Sequence, residues 1–148
     1  MNRGFTLIEA VIYIGLFSLL MVGAITTVYE LLQGSAATSA KTMVQDEGNF
    51  VLRKISWALS SAASFSIPDS RELVVIQQSG STVDIKLEGA KVAIRESWAY
   101  FLPLTTENVA VSDLVFEEIP ASGGAPAGVR ATTTINGLDF AITKYLRK

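Results

Sequence analysis

The feature that most constrains this 148-residue chain is an apolar run near its N-terminus, residues 10–29, which contains no charged residue. As a helix, a run of this length covers about 30 Å, the thickness of the hydrocarbon core of a bilayer. The apolar region of a secretory signal peptide is shorter, about 7 to 15 residues, and ends at a small-residue cleavage site. Residues 26–30 are a poor site of that kind. The run therefore predicts a membrane-spanning helix.

Composition excludes several kinds of chemistry. The chain is 49% hydrophobic and has neither histidine nor cysteine. These absences exclude thiol catalysis, thiolate zinc sites, disulfides and triads that use histidine. A net charge of −2 offers no basic surface for a phosphate backbone. We therefore predict no catalytic residue, no metal, no cofactor and no requirement for nucleic acid.

The charges that flank the apolar run predict its orientation. Arg3 is the only positive charge before the run, and Glu30 is the first charge after it. By the positive-inside rule, the short N-terminus stays in the cytoplasm. We expect a single-pass protein of the cytoplasmic membrane whose C-terminal part lies outside.

Glu9 stands at the start of the apolar run, where a carboxylate is costly unless it is paired or neutralised. One interpretation places it at the headgroup level, where the N-terminal end of the helix dipole favours a negative charge. The other gives it a cation from another chain when several such helices pack together. The residues alone leave both interpretations open.

The N-terminal residues resemble the cleavage and methylation signature of the type IV pilin and pseudopilin family. The signature reads Arg3-Gly4-Phe5-Thr6-Leu7-Ile8-Glu9 and is followed by the apolar run. The resemblance implies that prepilin peptidase cuts between Gly4 and Phe5 and that Phe5 is N-methylated. It also implies that Glu9 pairs with the terminal amine of a neighbouring subunit.

The same resemblance implies a set of partners and a final location. The partners would be other pilins or pseudopilins, prepilin peptidase, the inner-membrane assembly platform and membrane lipid. The subunit would assemble into a periplasmic or extracellular filament. That filament would be a type IV pilus or a type II secretion-like pseudopilus, and it would serve secretion, motility or DNA uptake in competence.

Two features indicate a minor subunit. Major subunits of this family usually carry a proline late in the apolar helix, whereas the first proline here is Pro68. Residues 111–116, a Gly-rich loop and a Thr-rich strand resemble the minor pseudopilins called J or W.

Gly15 and Gly23 lie about two helical turns apart, and they either let membrane helices approach closely or are ordinary membrane-helix glycines.

Beyond the apolar run, residues 30–65 predict an amphipathic helix. They contain no proline, and apolar residues from Val44 to Ala62 recur at helical spacing. We expect one helix from Phe5 to about Ala63, roughly 88 Å long, with weak points at Gly34 and Gly48. The expected segments are a leader (1–4), a membrane and filament-core helix (5–29), an amphipathic half (30–65) and a β-sheet domain (66–148).

The remaining residues predict strands. Residues 72–78 and 82–88 flank a turn at Ser79-Gly80-Ser81, and residues 91–95 follow as a third strand. A strand within residues 108–119 precedes a Gly-rich loop, and residues 129–135 and 138–146 flank Asn136-Gly137, a strong hairpin signal. A long helix followed by strands predicts an α+β fold with an antiparallel sheet on the amphipathic half of the helix. This is also the pilin layout.

Other candidate sites have weaker support. The Gly-rich loop 122–128 lacks the Gly-Lys-Ser/Thr ending of a phosphate loop, and the acidic pairs 46–47 and 117–118 lack the spacing of a calcium loop. Four aromatic residues could form either a binding surface or part of the core. They are Trp57, Trp98, Tyr100 and Phe101. The alternative function is a membrane-anchored extracytoplasmic binding domain that does not polymerise.

Overall fold

The computed structural model describes residues 6–146, apart from the side chains of residues 36 and 37. The chain divides into two compact units, Met1–Lys41 and Thr42–Lys148. A single helix, α1 (Leu7–Ser60), runs through both. Its 54 residues pass Gly34 and Gly48 without a break. The predicted continuous helix is therefore confirmed from Leu7 onward, and its expected first residue, Phe5, lies outside the described residues.

Eight strands follow the helix and pair only in antiparallel fashion within the described residues. Their bounds are β1 (Ala62–Asp69), β2 (Glu72–Gln77), β3 (Thr82–Glu88), β4 (Lys91–Glu96), β5 (Leu102–Pro103), β6 (Val111–Ile119), β7 (Gly128–Ile135) and β8 (Leu138–Tyr145). β1 to β5 form one sheet in chain order, and β6 to β8 form a second. The α+β prediction is confirmed, with two sheets where one was expected.

Both hairpins that the turn residues predicted are present. β2 pairs with β3 across the turn that contains Gly80, and β7 pairs with β8 from Gly128↔Tyr145 to Ile135↔Leu138. Asn136 and Gly137 have φ values of 47° and 79°, the left-handed pair that a two-residue hairpin turn requires. The side chain of Asn136 also accepts a hydrogen bond from the Ala110 amide at 2.8 Å.

The helix ends three residues earlier than expected, and its continuation is a strand. Ser60 is the last helical residue, and its hydroxyl donates to the Ser56 carbonyl. Residues 62–65, expected in the helix, instead begin β1, which pairs with β2 through two register irregularities. Pro68 lies near the end of β1, which is an edge strand, where its missing N–H costs little.

The core of the second unit lies between the C-terminal part of α1 and the inner faces of both sheets. Val51, Ile55 and Leu59 are at most 2% exposed, and they present one face of the helix to the strands. The predicted amphipathic face is therefore confirmed, except that Phe50 lies on its exposed side. Burial of large aliphatic side chains contributes roughly 1.5–3 kcal/mol each, so this helix face stabilises the unit.

Gly48 has a packing role rather than a bending role. A Cβ atom built on it would lie less than 3.0 Å from three ring atoms of Phe140 in β8. No such neighbour exists at Gly34, where a Cβ would meet nothing within 4 Å. The ring of Phe140 therefore lies directly on the bare backbone of the helix at Gly48.

Candidate functional site

The predicted processing site lies at the boundary of the described structure. Gly4 and Phe5 fall outside the described residues. Immediately after them, the carbonyl of Thr6 accepts hydrogen bonds from the amides of Glu9 (3.1 Å) and Ala10 (3.2 Å). These bonds close the first turn of α1, so the helix begins within two residues of the predicted cut.

Glu9 lies in this first turn, and its side chain is partly exposed. The free N–H groups at a helix N-terminus favour a carboxylate there. Within residues 6–146, no lysine or arginine forms a salt bridge with Glu9. The structure is therefore compatible with the headgroup interpretation, and it also leaves the carboxylate available to a cation from outside this part of the chain.

The apolar run forms a helix surface that nothing in its own unit covers. Large apolar side chains from Leu7 to Leu32 are between 46% and 85% exposed. By length and composition, this helix is able to cross a membrane. Three hydroxyls of the run are satisfied within the helix: those of Ser18, Thr26 and Thr27 donate to carbonyls four residues earlier at 2.8–3.0 Å. The surface therefore suits a lipid environment, in which unsatisfied polar groups are costly.

Gly15 and Gly23 lie on this apolar surface. A Cβ at either position would meet nothing within 4 Å. Neither glycine is therefore required by a contact inside the described structure. Their predicted role in close packing with another helix stays a prediction.

The remaining candidates are placed as follows. The Gly-rich loop folds on itself through a bridge between Ser122 and Ala125, with Gly123 and Gly124 at positive φ, and a strand follows it. Among the described residues, no three acidic side chains converge in a way that could hold a metal ion. The aromatic residues lie in different environments. Phe101 packs beneath Lys86 and Arg95, whereas Trp98 and Tyr100 are more than 90% exposed.

The structure also shows a site that sequence reasoning missed. Asp84 and Arg95 lie opposite each other on β3 and β4 and form an ion pair in which Asp84 is only 4% exposed. Together with Trp98 they line a pocket of about 330 Å³. The sequence does show polar and apolar residues alternating along β3. The pairing of Asp84 with Arg95, however, depends on the register between β3 and β4, which the sequence did not specify.

Comparison with known proteins gives one match. The family model described as the prokaryotic N-terminal methylation motif matches residues 1–25. This match supports a type IV pilin-like precursor, and motifs of this type suggest processing by prepilin peptidase and assembly with other pilins. No curated protein and no solved structure shows significant similarity to the chain.

Proposed function

We propose that this chain is a minor pilin or pseudopilin subunit of a type IV pilus or a type II secretion-like pseudopilus. Prepilin peptidase cuts it between Gly4 and Phe5 and methylates Phe5, and the mature subunit packs with other pilins through α1. One observation carries this proposal: the methylation motif matches residues 1–25, and these residues include the first part of an apolar helix surface that its own unit leaves uncovered.

Because this surface is uncovered, the subunit needs lipid or other helices around it. Burying one large apolar side chain is worth roughly 1.5–3 kcal/mol, and more than fifteen such side chains are exposed between Leu7 and Leu32. Water is therefore an unfavourable environment for this segment. Membrane lipid covers it before assembly, with Arg3 and the N-terminus in the cytoplasm, and neighbouring helices cover it in the filament.

Glu9 supplies the specific contact in the proposed assembly. Its carboxylate pairs with the methylated terminal amine of an adjacent subunit, in surroundings of low dielectric constant where the attraction is much larger than in water. If one partner were removed, the other charge would be stranded at a cost of several kcal/mol. The exposed glycines Gly15 and Gly23 let the neighbouring helix approach the backbone closely.

Three features favour a minor subunit over the bulk subunit. α1 continues without a break from Leu7 to Ser60, and the first proline is Pro68. An unbroken helix of this kind resembles the J or W pseudopilins more than the major pilins. The strand 111–119, the Gly-rich loop and the Thr-rich strand that follows are the third feature, and they extend the same resemblance to the second unit.

The second candidate is a membrane-anchored binding domain that does not polymerise. A specific observation favours it: the second unit carries a polar pocket beside the fully exposed Trp98. In this case Glu9 would only stabilise the helix N-terminus, and it would be dispensable for association with other pilins.

Substitution of Glu9 separates the two candidates. Glu9→Ala and Glu9→Gln should both weaken crosslinking and co-purification with other prepilins of the same host, while cleavage proceeds normally. Glu9→Asp should retain part of the association, limited by its shorter reach. Glu30→Ala is the matched control, because Glu30 is an exposed carboxylate just beyond the other end of the apolar run. Equal association of all four variants would contradict the filament proposal and favour the binding domain.

A further inference from the structure

A pocket of about 330 Å³ lies on the five-stranded sheet, beside the turn between β2 and β3 and the loop that follows β4. Its lining includes Thr82, Asp84, Arg95, Ser97 and Trp98. Its volume lies within the usual range for sites that bind small molecules. Every residue that lines the pocket belongs to the second unit.

The carboxylate at the pocket has unused hydrogen-bonding capacity. Arg95 donates to Asp84 from Nε at 2.8 Å and also from Nη2, and both bonds reach the same oxygen, Oδ2. Oδ1 is buried and has no hydrogen-bond partner within residues 6–146. A buried acceptor without a donor is unfavourable, and such groups are rare in folded proteins. The carboxylate therefore keeps one acceptor that the described chain leaves unpaired.

The loop after β4 is held in a conformation that leaves an aromatic ring uncovered. Ser97 adopts a left-handed φ of 56°, and its amide donates to the Thr82 carbonyl at 2.6 Å. Phe101 anchors the other end of the loop beneath Lys86 and Arg95, whose charged groups lie 4.0 and 4.5 Å from its ring centroid. Between these two anchors, the side chain of Trp98 is fully exposed at the rim of the pocket. A strained residue that is held by its surroundings is typical of binding sites.

We propose that this pocket binds a neutral, hydroxyl-rich ligand, a sugar residue of a carbohydrate. A sugar hydroxyl can both donate to a carboxylate and accept from a guanidinium, and Asp84 and Arg95 both line the pocket. Thr82 and Ser97 are further polar residues of the lining.

Two properties of the site select this ligand class over others. Arg95 balances the charge of Asp84, so the pocket offers no net charge to an anionic or cationic ligand. Trp98 presents a large apolar ring at the rim, on which the C–H face of a sugar can stack. A ligand with hydroxyls at its edge and C–H groups on its face satisfies both parts of the site.

The test uses the full chain in a detergent without a sugar headgroup. Neutral methyl glycosides of glucose, galactose, mannose and N-acetylglucosamine are added, with glucosamine and glucuronate as charged comparators, and binding is followed by saturation-transfer NMR. We expect at least one neutral glycoside to bind. Trp98→Ala should abolish this binding, and Asp84→Asn should weaken it about tenfold, the loss expected for one hydrogen bond to a charged group.

Tyr100→Ala is the matched control, because Tyr100 is an exposed aromatic of the same loop that does not line the pocket. It should bind sugars as the unmodified chain does. The proposal is overturned if no neutral glycoside binds up to about 100 mM, or if Trp98→Ala binds as well as the unmodified chain. Preferential binding of a charged comparator would overturn the charge argument. Absence of sugar binding, together with loss of co-purifying prepilins in both Trp98→Ala and Tyr100→Ala, would assign the loop to protein docking instead.

Discussion

The contact between Gly48 and Phe140 predicts that the effect of Gly48→Ala on stability changes sign when Phe140 is replaced with alanine. Replacing an exposed helical glycine with alanine stabilises a protein by about 1 kcal/mol. At Gly48 the new Cβ would lie less than 3.0 Å from three atoms of the Phe140 ring, whereas carbon atoms pack best at about 3.5–4.0 Å. The ring must therefore shift or leave its position on the helix.

Overpacking of this kind costs about 1–3 kcal/mol, which offsets the gain in helix propensity or exceeds it. We expect Gly48→Ala to change the free energy of unfolding by between about 0 and 2 kcal/mol in the destabilising direction. In a Phe140→Ala background no ring is present, and the same substitution should stabilise by about 1 kcal/mol. The coupling energy of the two positions should therefore be about 1–3 kcal/mol.

The assay is guanidinium denaturation of the detergent-solubilised full chain, followed by near-ultraviolet circular dichroism for the four proteins of the cycle. The midpoints should differ while the slopes stay equal, which indicates a change in stability rather than in the compactness of the denatured state. Equal stabilisation by Gly48→Ala in both backgrounds would refute the packing of Phe140 on the helix backbone.

Three further predictions concern other parts of the chain. Gly4→Leu should leave the protein in the membrane as an uncut precursor, because a side chain crowds the peptidase cleft; a mature chain on an immunoblot would contradict this. A protein truncated to begin at Glu30 should be monomeric with a cooperative melt, because the buried core begins beyond that residue; aggregation in gel filtration would show that the apolar helix is needed for folding. Asn136→Ala should lower stability by about 1–2 kcal/mol, because it loses a bond to the Ala110 amide and places alanine at positive φ; an unchanged denaturation midpoint would contradict the turn assignment.

The elements that the sequence predicted are those whose signal is local. The uncharged run and the 3.6-residue periodicity indicate α1, and Asn136-Gly137 indicates the last hairpin without reference to the rest of the fold. The motif at Gly4 and Phe5 is local as well, and the family match covers it.

The features that the sequence did not predict depend on contacts between distant residues. β1 is irregular in register and β5 contains only Leu102–Pro103, so the extent of each strand depends on its pairing partner. The division into two sheets and the Asp84–Arg95 pair likewise depend on which strands become neighbours. Propensity and periodicity carry no information of that kind.

The intact mass of this protein in the sheared filament fraction of its native host tests whether it is processed and assembled. The proposed function predicts a chain that lacks residues 1–4 and begins at N-methylated Phe5. A chain in that fraction that still begins at Met1 would contradict it, and so would a protein that is confined to the membrane fraction while the other pilins of the host assemble.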